Sequence, residues 1–167
     1  MLPKYSSVQP DEVVELERSD SYVVVVWRRL MLLVWRDTAN PTGVQRSRAL
    51  FDQWAAQKPG GGAFLVVTPA HRTRAPDART FEAMASTANA PVSQCKGMAV
   101  LLESEGSIAA SVRAIMMRIH SIAAREDPPL VFGSTDKAAR WSAKLLSDPA
   151  ITATSLAEAM SIAREGA

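Results

Sequence analysis

Residues 98–132 read as a strand, a long helix and a second strand: MAVLLE, then SEGSIAASVRAIMMRIHSIAAREDPP, then LVF. Two apolar runs joined by an amphipathic helix form the crossover unit of a parallel sheet, because parallel strands need a connection long enough to return to the starting edge. The remaining apolar segments repeat this grammar, so the chain is expected to fold as an α/β domain.

The central helix reads almost residue by residue. Ile108, Val112, Ile115, Met116, Ile119, Ile122 and Ala123 fall within one face about 120° wide, the breadth of a core-facing stripe. Ser104 or Ser107 is the expected cap, with Glu103 and Glu105 beside the positive end of the helix dipole. Asp127-Pro128-Pro129 stops the helix, since proline cannot donate the next backbone bond and forces its predecessor out of helical geometry. The opposite face carries Ala110, Ala114, Met117, Ser121 and Ala124, a small and weakly polar stripe where a solvated helix would show long charged side chains. It is expected to need a cover: either the C-terminal helix or the same stripe of a second copy, making a homodimer.

In chain order, residues 1–20 are polar and acidic and are expected to form a mobile lead-in, with a short strand or helical turn at residues 13–16. YVVVVW and LMLLVW follow as two strands apolar throughout, hence covered on both faces. Only Arg28-Arg29 separates them. That pair suits a hairpin turn poorly, because such turns favour positive φ, so a wider loop is expected. A helix from Asn40-Pro41-Thr42 to about Gln57 turns Val44, Phe51, Trp54 and Ala55 inward and ends at Pro59-Gly60-Gly61-Gly62. AFLVVT is the third strand; residues 77–90 form a helix using Phe81, Met84, Ala85 and Ala88; the crossover of residues 98–132 supplies the fourth and fifth strands. A helix with Trp141 and Leu145 buried and Ser134 or Thr135 as cap comes next, and a last one carries Leu156, Ala159, Met160 and Ala163. The expected architecture is thus a mixed sheet of about five strands with an N-terminal hairpin and four to five helices. Its parts are the acidic segment 1–20, the α/β domain 21–147 and a C-terminal helical extension 148–167.

A chain of 167 residues suffices for one substantial core, and 47% hydrophobic with 22% charged residues is ordinary for a globular domain. The net charge of +2 recommends no nucleic-acid partner. That charge is uneven: residues 1–20 hold five acidic and two basic side chains, a net of −3, which leaves +5 on the rest. The only long apolar run, residues 22–35, is too short to span a bilayer and has two arginines at its centre, so no membrane insertion is expected. No apolar stretch of signal-peptide type opens the chain, and the single cysteine, Cys95, fits a reducing compartment. A cytoplasmic protein is expected.

Catalytic patterns are sparse. Gly60-Gly61-Gly62 precedes a strand rather than following one and lacks the Gly-Lys-Ser/Thr ending of a phosphate loop, so it reads as a helix stop and linker. His71, His120 and Cys95 match no metal-ligand spacing, Cys95 has no nucleophile's partner in view, and no Gly-x-Ser-x-Gly elbow occurs. Neither an enzymatic activity nor a cofactor is expected.

The order strand, strand, helix, strand, helix, strand, helix, strand, helix, led by the YVVVVW and LMLLVW pair, resembles the STAS fold of anti-sigma-factor antagonists and, more closely, the bacterial SpoIIAA-like proteins. The resemblance covers about residues 22–146 and rests on topology and pattern. It implies a non-enzymatic module that docks onto another protein, or that binds a small ligand against its sheet. In that family a phosphorylatable serine in an Asp-Ser-Ser-Gly-type segment caps the helix after the third strand. Here that place reads TPAHRTRAPD, residues 68–77, without such a segment.

Two locations follow for function. The loop HRTRAPDAR, residues 71–79, gathers His71, Arg72, Thr73, Arg74, Asp77 and Arg79 beside a helix start, where arginines and orphan amides favour an anionic partner group. The same residues also fit a solvated basic loop with Asp77 as an ordinary cap. If instead the domain takes a small ligand or substrate, its site is expected at the carboxyl ends of the strands, near Thr68, Glu103 and Gly133.

Overall fold

The computed structural model describes residues 11–69, 76–89, 94–103, 107–123 and 130–166. Among them lie six strands and five helices: β1 (Val13–Arg18), β2 (Tyr22–Trp27), β3 (Leu30–Trp35), α1 (Pro41–Ala55), β4 (Gly62–Thr68), α2 (Ala78–Asn89), β5 (Cys95–Leu102), α3 (Ser107–Ala123), β6 (Leu130–Phe132), α4 (Thr135–Leu146) and α5 (Ala153–Glu165). The α/β class and mixed sheet match the sequence reading. One sheet runs β1-β2-β3-β4-β5-β6, antiparallel over its first three strands and parallel from β3 to β6.

The strand count corrects the expectation of about five. Val13–Arg18 pairs along β2, with a register shift between Glu15 and Glu17, so part of the acidic lead-in is a sheet edge. The reason is physical: β2 is buried along its whole length, and an unpaired apolar edge invites aggregation. A neighbour carrying Glu15, Glu17 and Arg18 closes that edge with charge. β5 also starts earlier than expected, so Cys95 opens a strand instead of lying in a connection.

The β2–β3 turn is tight, correcting the expected wider loop: Trp27 pairs directly with Leu30. Arg28 takes a φ of 56°, a left-handed conformation costing roughly 1–2 kcal/mol for a residue with a Cβ. Its guanidinium offsets that cost by lying 5.6 Å from the Trp27 ring centre and bonding Asp148 at 3.1 Å and Asp11. Arg29 bonds the Gly61 carbonyl through Nε at 3.0 Å and the Gly60 carbonyl through Nη2 at 2.5 Å.

Alternation divides the strands between two cores. Val23, Val25, Trp27, Leu30, Leu32 and Val34 pack with α4 and α5, whereas Tyr22, Val24, Val26, Met31, Leu33 and Trp35 pack with α1 and the Ala83 turn of α2. Val112 and Met116 of α3 rest on Val100 and Leu102 on the second of these faces. Right-handed crossovers between successive parallel strands that advance in one direction leave every crossover helix on the same face. The other face is covered by α4 and α5. Leu156, Ala159, Met160 and Ala163 are therefore core, and residues 148–167 are less an extension than half of a layer.

Helix ends follow local chemistry. Asn40 accepts from the Gly43 amide at 2.9 Å, with Pro41 in the first helical turn. Gly43 is glycine because a Cβ there would stand 2.6 Å from the Trp35 ring. Ser134 caps α4, and Thr152 with Ser155 forms a reciprocal capping box on α5.

Two outcomes test this architecture. Leu156→Ala empties a site with no solvent exposure and is expected to cost about 2–5 kcal/mol in urea unfolding, where an appended helix would lose almost nothing. The second concerns Tyr22, which is buried and donates its hydroxyl to Glu17 at 2.5 Å, while Arg46 pairs with the same carboxylate. Burial first, and then the bond to Glu17 and its charge, push the phenol from 10.0 up to about 12. A raised folded value means stability is intact below pH 10 and declines as pH climbs from 10 towards 12, by roughly 1–3 kcal/mol. Tyr22→Phe is expected to remove that part of the alkaline slope in denaturation midpoints measured from pH 9 to 12.

Candidate functional site

Of the basic loop, Asp77 and Arg79 lie within the described residues; His71, Arg72, Thr73 and Arg74 lie outside them. Asp77 caps α2, its Oδ1 accepting the Thr80 amide at 2.7 Å. That bond, with the Thr80 hydroxyl next, holds the carboxyl below its ordinary value. Arg79 is exposed in the first turn of the same helix. Asp77 thus has a structural task.

On α3, Ala110, Ala114 and Met117 are exposed, Met117 by 53%. The Ser121 side chain and Ala124 lie outside the described residues. The C-terminal helix does not supply their cover, since α5 packs on β1, β2, β3 and α4 across the sheet from α3. Of the three positions expected to mark a carboxyl-end site, Thr68 lines a cleft, whereas Glu103 is paired with Arg164 of α5 at 2.5 Å.

The cleft was not anticipated as such. It lies between the sheet and the three crossover helices, with a volume of about 130 Å³. Trp35 of β3, Phe64 and Val66 of β4, and Met98 and Val100 of β5 form its floor. Val44 and Ser47 of α1, Met84 and Thr87 of α2, and Val112, Ile115 and Met116 of α3 form its walls. It opens beneath α2, which packs on α1 and α3 and meets the sheet cluster through Ala83 and Met84. The residues α2 turns inward are short, Thr80, Ala83 and Ala85, with Met84 as the one long side chain at the void.

The interior offers carbon. Ser47 spends its hydroxyl on the Val44 carbonyl at 3.0 Å, and the Thr87 carbonyl accepts from Arg48 at 2.6 Å. Polar groups gather instead at the carboxyl ends of β3 and β4, where Asp37, Thr38 and Thr68 line one end with Pro76. The Thr38 amide donates to Asp37 Oδ1 at 2.8 Å, and the Thr80 hydroxyl reaches the Ala39 carbonyl at 3.5 Å, tying the start of α2 to this rim. A hole of this size is close to the roughly 150 Å³ cavity that accepts one benzene ring.

Three of the seven methionines of the chain, Met84, Met98 and Met116, line the cleft. In sequence each is a core position of its own element, and only the fold brings them together. Their flexible thioethers adjust to a guest better than branched side chains do. Among the described residues no cluster of three His, Cys, Asp or Glu side chains stands ready for a metal ion, and no helix is long and apolar enough to cross a membrane. Compared with protein-family models, curated proteins and solved structures, the chain matches none.

Proposed function

We propose that this chain is a non-enzymatic regulatory binding module of the bacterial cytoplasm whose ligand is a small molecule with an apolar body held in the cleft. The observation that carries the reading is the cleft itself: a carbon-lined hole with polar groups gathered at one rim, the usual anatomy of a small-molecule site. Asp37 is the one ionisable side chain of its described lining, and acid–base or nucleophilic chemistry requires a positioned partner for such a group. The antiparallel lead-in followed by three parallel crossovers supports a STAS-like reading of the fold, and the single cysteine supports a reducing compartment.

The test is a thermal-shift screen with one-ring and short-chain compounds such as indole, toluene and hexanol. A ligand at a hundred times its dissociation constant adds about 2.7 kcal/mol, which raises Tm by several degrees in a domain of this size. Val112→Phe and Val66→Phe, which fill the hole from its α3 wall and its β4 floor, are expected to fold with the parent's circular-dichroism spectrum and to lose the shift. A panel that moves no melting temperature, or filled variants that respond like the parent, would overturn the reading.

The exposed face of α3 favours a second reading, docking onto another protein. Ala110, Ala114 and Met117 leave a shallow strip beside the exposed Arg113 and Arg118, and cations that flank an apolar strip suit an acidic partner or rim. If a second copy is the partner, sedimentation equilibrium at micromolar concentration is expected to give a dimer mass that Met117→Glu returns to monomer. A monomer mass for the parent removes self-association.

A further inference from the structure

The rim makes the cleft more selective than its carbon lining alone. Trp35 and Asp37 both line the cleft while Arg36 between them does not, so the chain leaving β3 delivers a carboxylate and not a guanidinium to the opening. The Thr38 amide holds that carboxylate through Oδ1 at 2.8 Å. The nearest described guanidinium of the α1 wall, Arg48, is already engaged by Asp52 at 2.9 Å and by the Thr87 carbonyl. Trp35 lines the same cleft, its ring packed against Tyr22 with centroids 5.6 Å apart and planes at 70°. A carboxylate and an aromatic ring in one cleft are a pairing that receives ammonium groups, the carboxylate by charge and the ring by its quadrupole.

Resting on the ligand reading above, we infer that the cleft selects a small organic cation: a primary or substituted ammonium head at Asp37, joined to a body of one ring or a comparable aliphatic group among Trp35, Phe64 and Met98. Thr38 and Thr68, the other polar side chains among the described residues of this rim, offer hydroxyls that accept an ammonium proton, and neither presents a charge that would attract an acid. A carboxylate-headed molecule of the same body meets repulsion at Asp37.

Benzylamine, benzyl alcohol and phenylacetate share one ring and differ at the head, and calorimetric titration at low and moderate salt distinguishes them. Benzylamine is expected to bind about 5-fold more tightly than benzyl alcohol, with the advantage shrinking as salt rises, and phenylacetate to bind most weakly. Asp37→Asn keeps an oxygen for the Thr38 amide and is expected to abolish the amine's advantage while leaving benzyl alcohol unchanged. Asp37→Lys is expected to reverse the order of amine and acid. Equal binding of all three heads, or an amine preference that survives Asp37→Asn, overturns this inference and leaves the apolar cleft standing. Binding of none of the three overturns the cleft reading with it.

Discussion

Burial of the β2–β3 hairpin on both faces is the constraint from which the rest of this structure follows. Twelve paired residues, Tyr22 to Trp27 and Leu30 to Trp35, are all buried. A sheet with such a centre is stable only as the middle of three layers, since either face left open would expose a continuous apolar surface. Three right-handed crossovers supply one layer and cannot supply the other. The last two helices must therefore turn under the sheet, which is why Ile151, Leu156 and Met160 belong to the same cluster as Val23, Val25 and Leu32.

The two layers are not equivalent. On the α4–α5 side, Ala99, Ala138, Ala139, Ala159 and Ala163 bring the helices close, and packing is continuous. On the crossover side, α2 sits between α1 and α3 and meets the sheet cluster through Ala83 and Met84, with the cleft beside them. By the scaling of about 24 cal/mol per Å³ for unfilled core, 130 Å³ corresponds to roughly 3 kcal/mol, an upper figure because the cleft is partly open to water. Filling it would need only a larger residue at Val66 or Val112.

The legibility of this fold tracks how local each signal is. The hairpin strands, the crossover around α3 and the caps at Asn40, Asp77 and Ser134 are written in runs of a few residues, and they stand where the sequence puts them, whereas the last helix starts at Ala153 under a Thr152 cap, ahead of the Thr154 or Ser155 that the sequence suggests. β1 was faint because VVELER carries a bulge that breaks its alternation and charges that suit an edge. The tight turn was hidden because its stabilising partners, Asp148 and the Gly60 and Gly61 carbonyls, are remote in sequence. The cleft was hidden for the same reason. Trp35, Phe64, Met84, Met98 and Met116 each read correctly as inward-facing, and no pattern within one element reveals that two inward faces fail to meet.

The two ends of the parallel strands divide their duties. At the amino end, Arg29 spans from the hairpin turn to the glycine loop, Gly62 donates to the Gln94 carbonyl at 3.1 Å, and Arg28 fastens the turn to Asp148 after α4. Gly61 holds a φ of 71° so close to Gln94 that a Cβ would come within 2.3 Å of its carbonyl oxygen. That end is locked by backbone geometry and by charges engaged with one another. At the carboxyl end, Asp37, Thr38 and Thr68 form the rim, and the apolar floor continues up to it. Crossover sheets leave this end for ligands because the loops there are released from pairing, whereas every loop at the other end must start a strand in register. In this chain the hairpin strengthens the asymmetry, since its turn joins the locked end and its second strand delivers Trp35 and Asp37 to the open one.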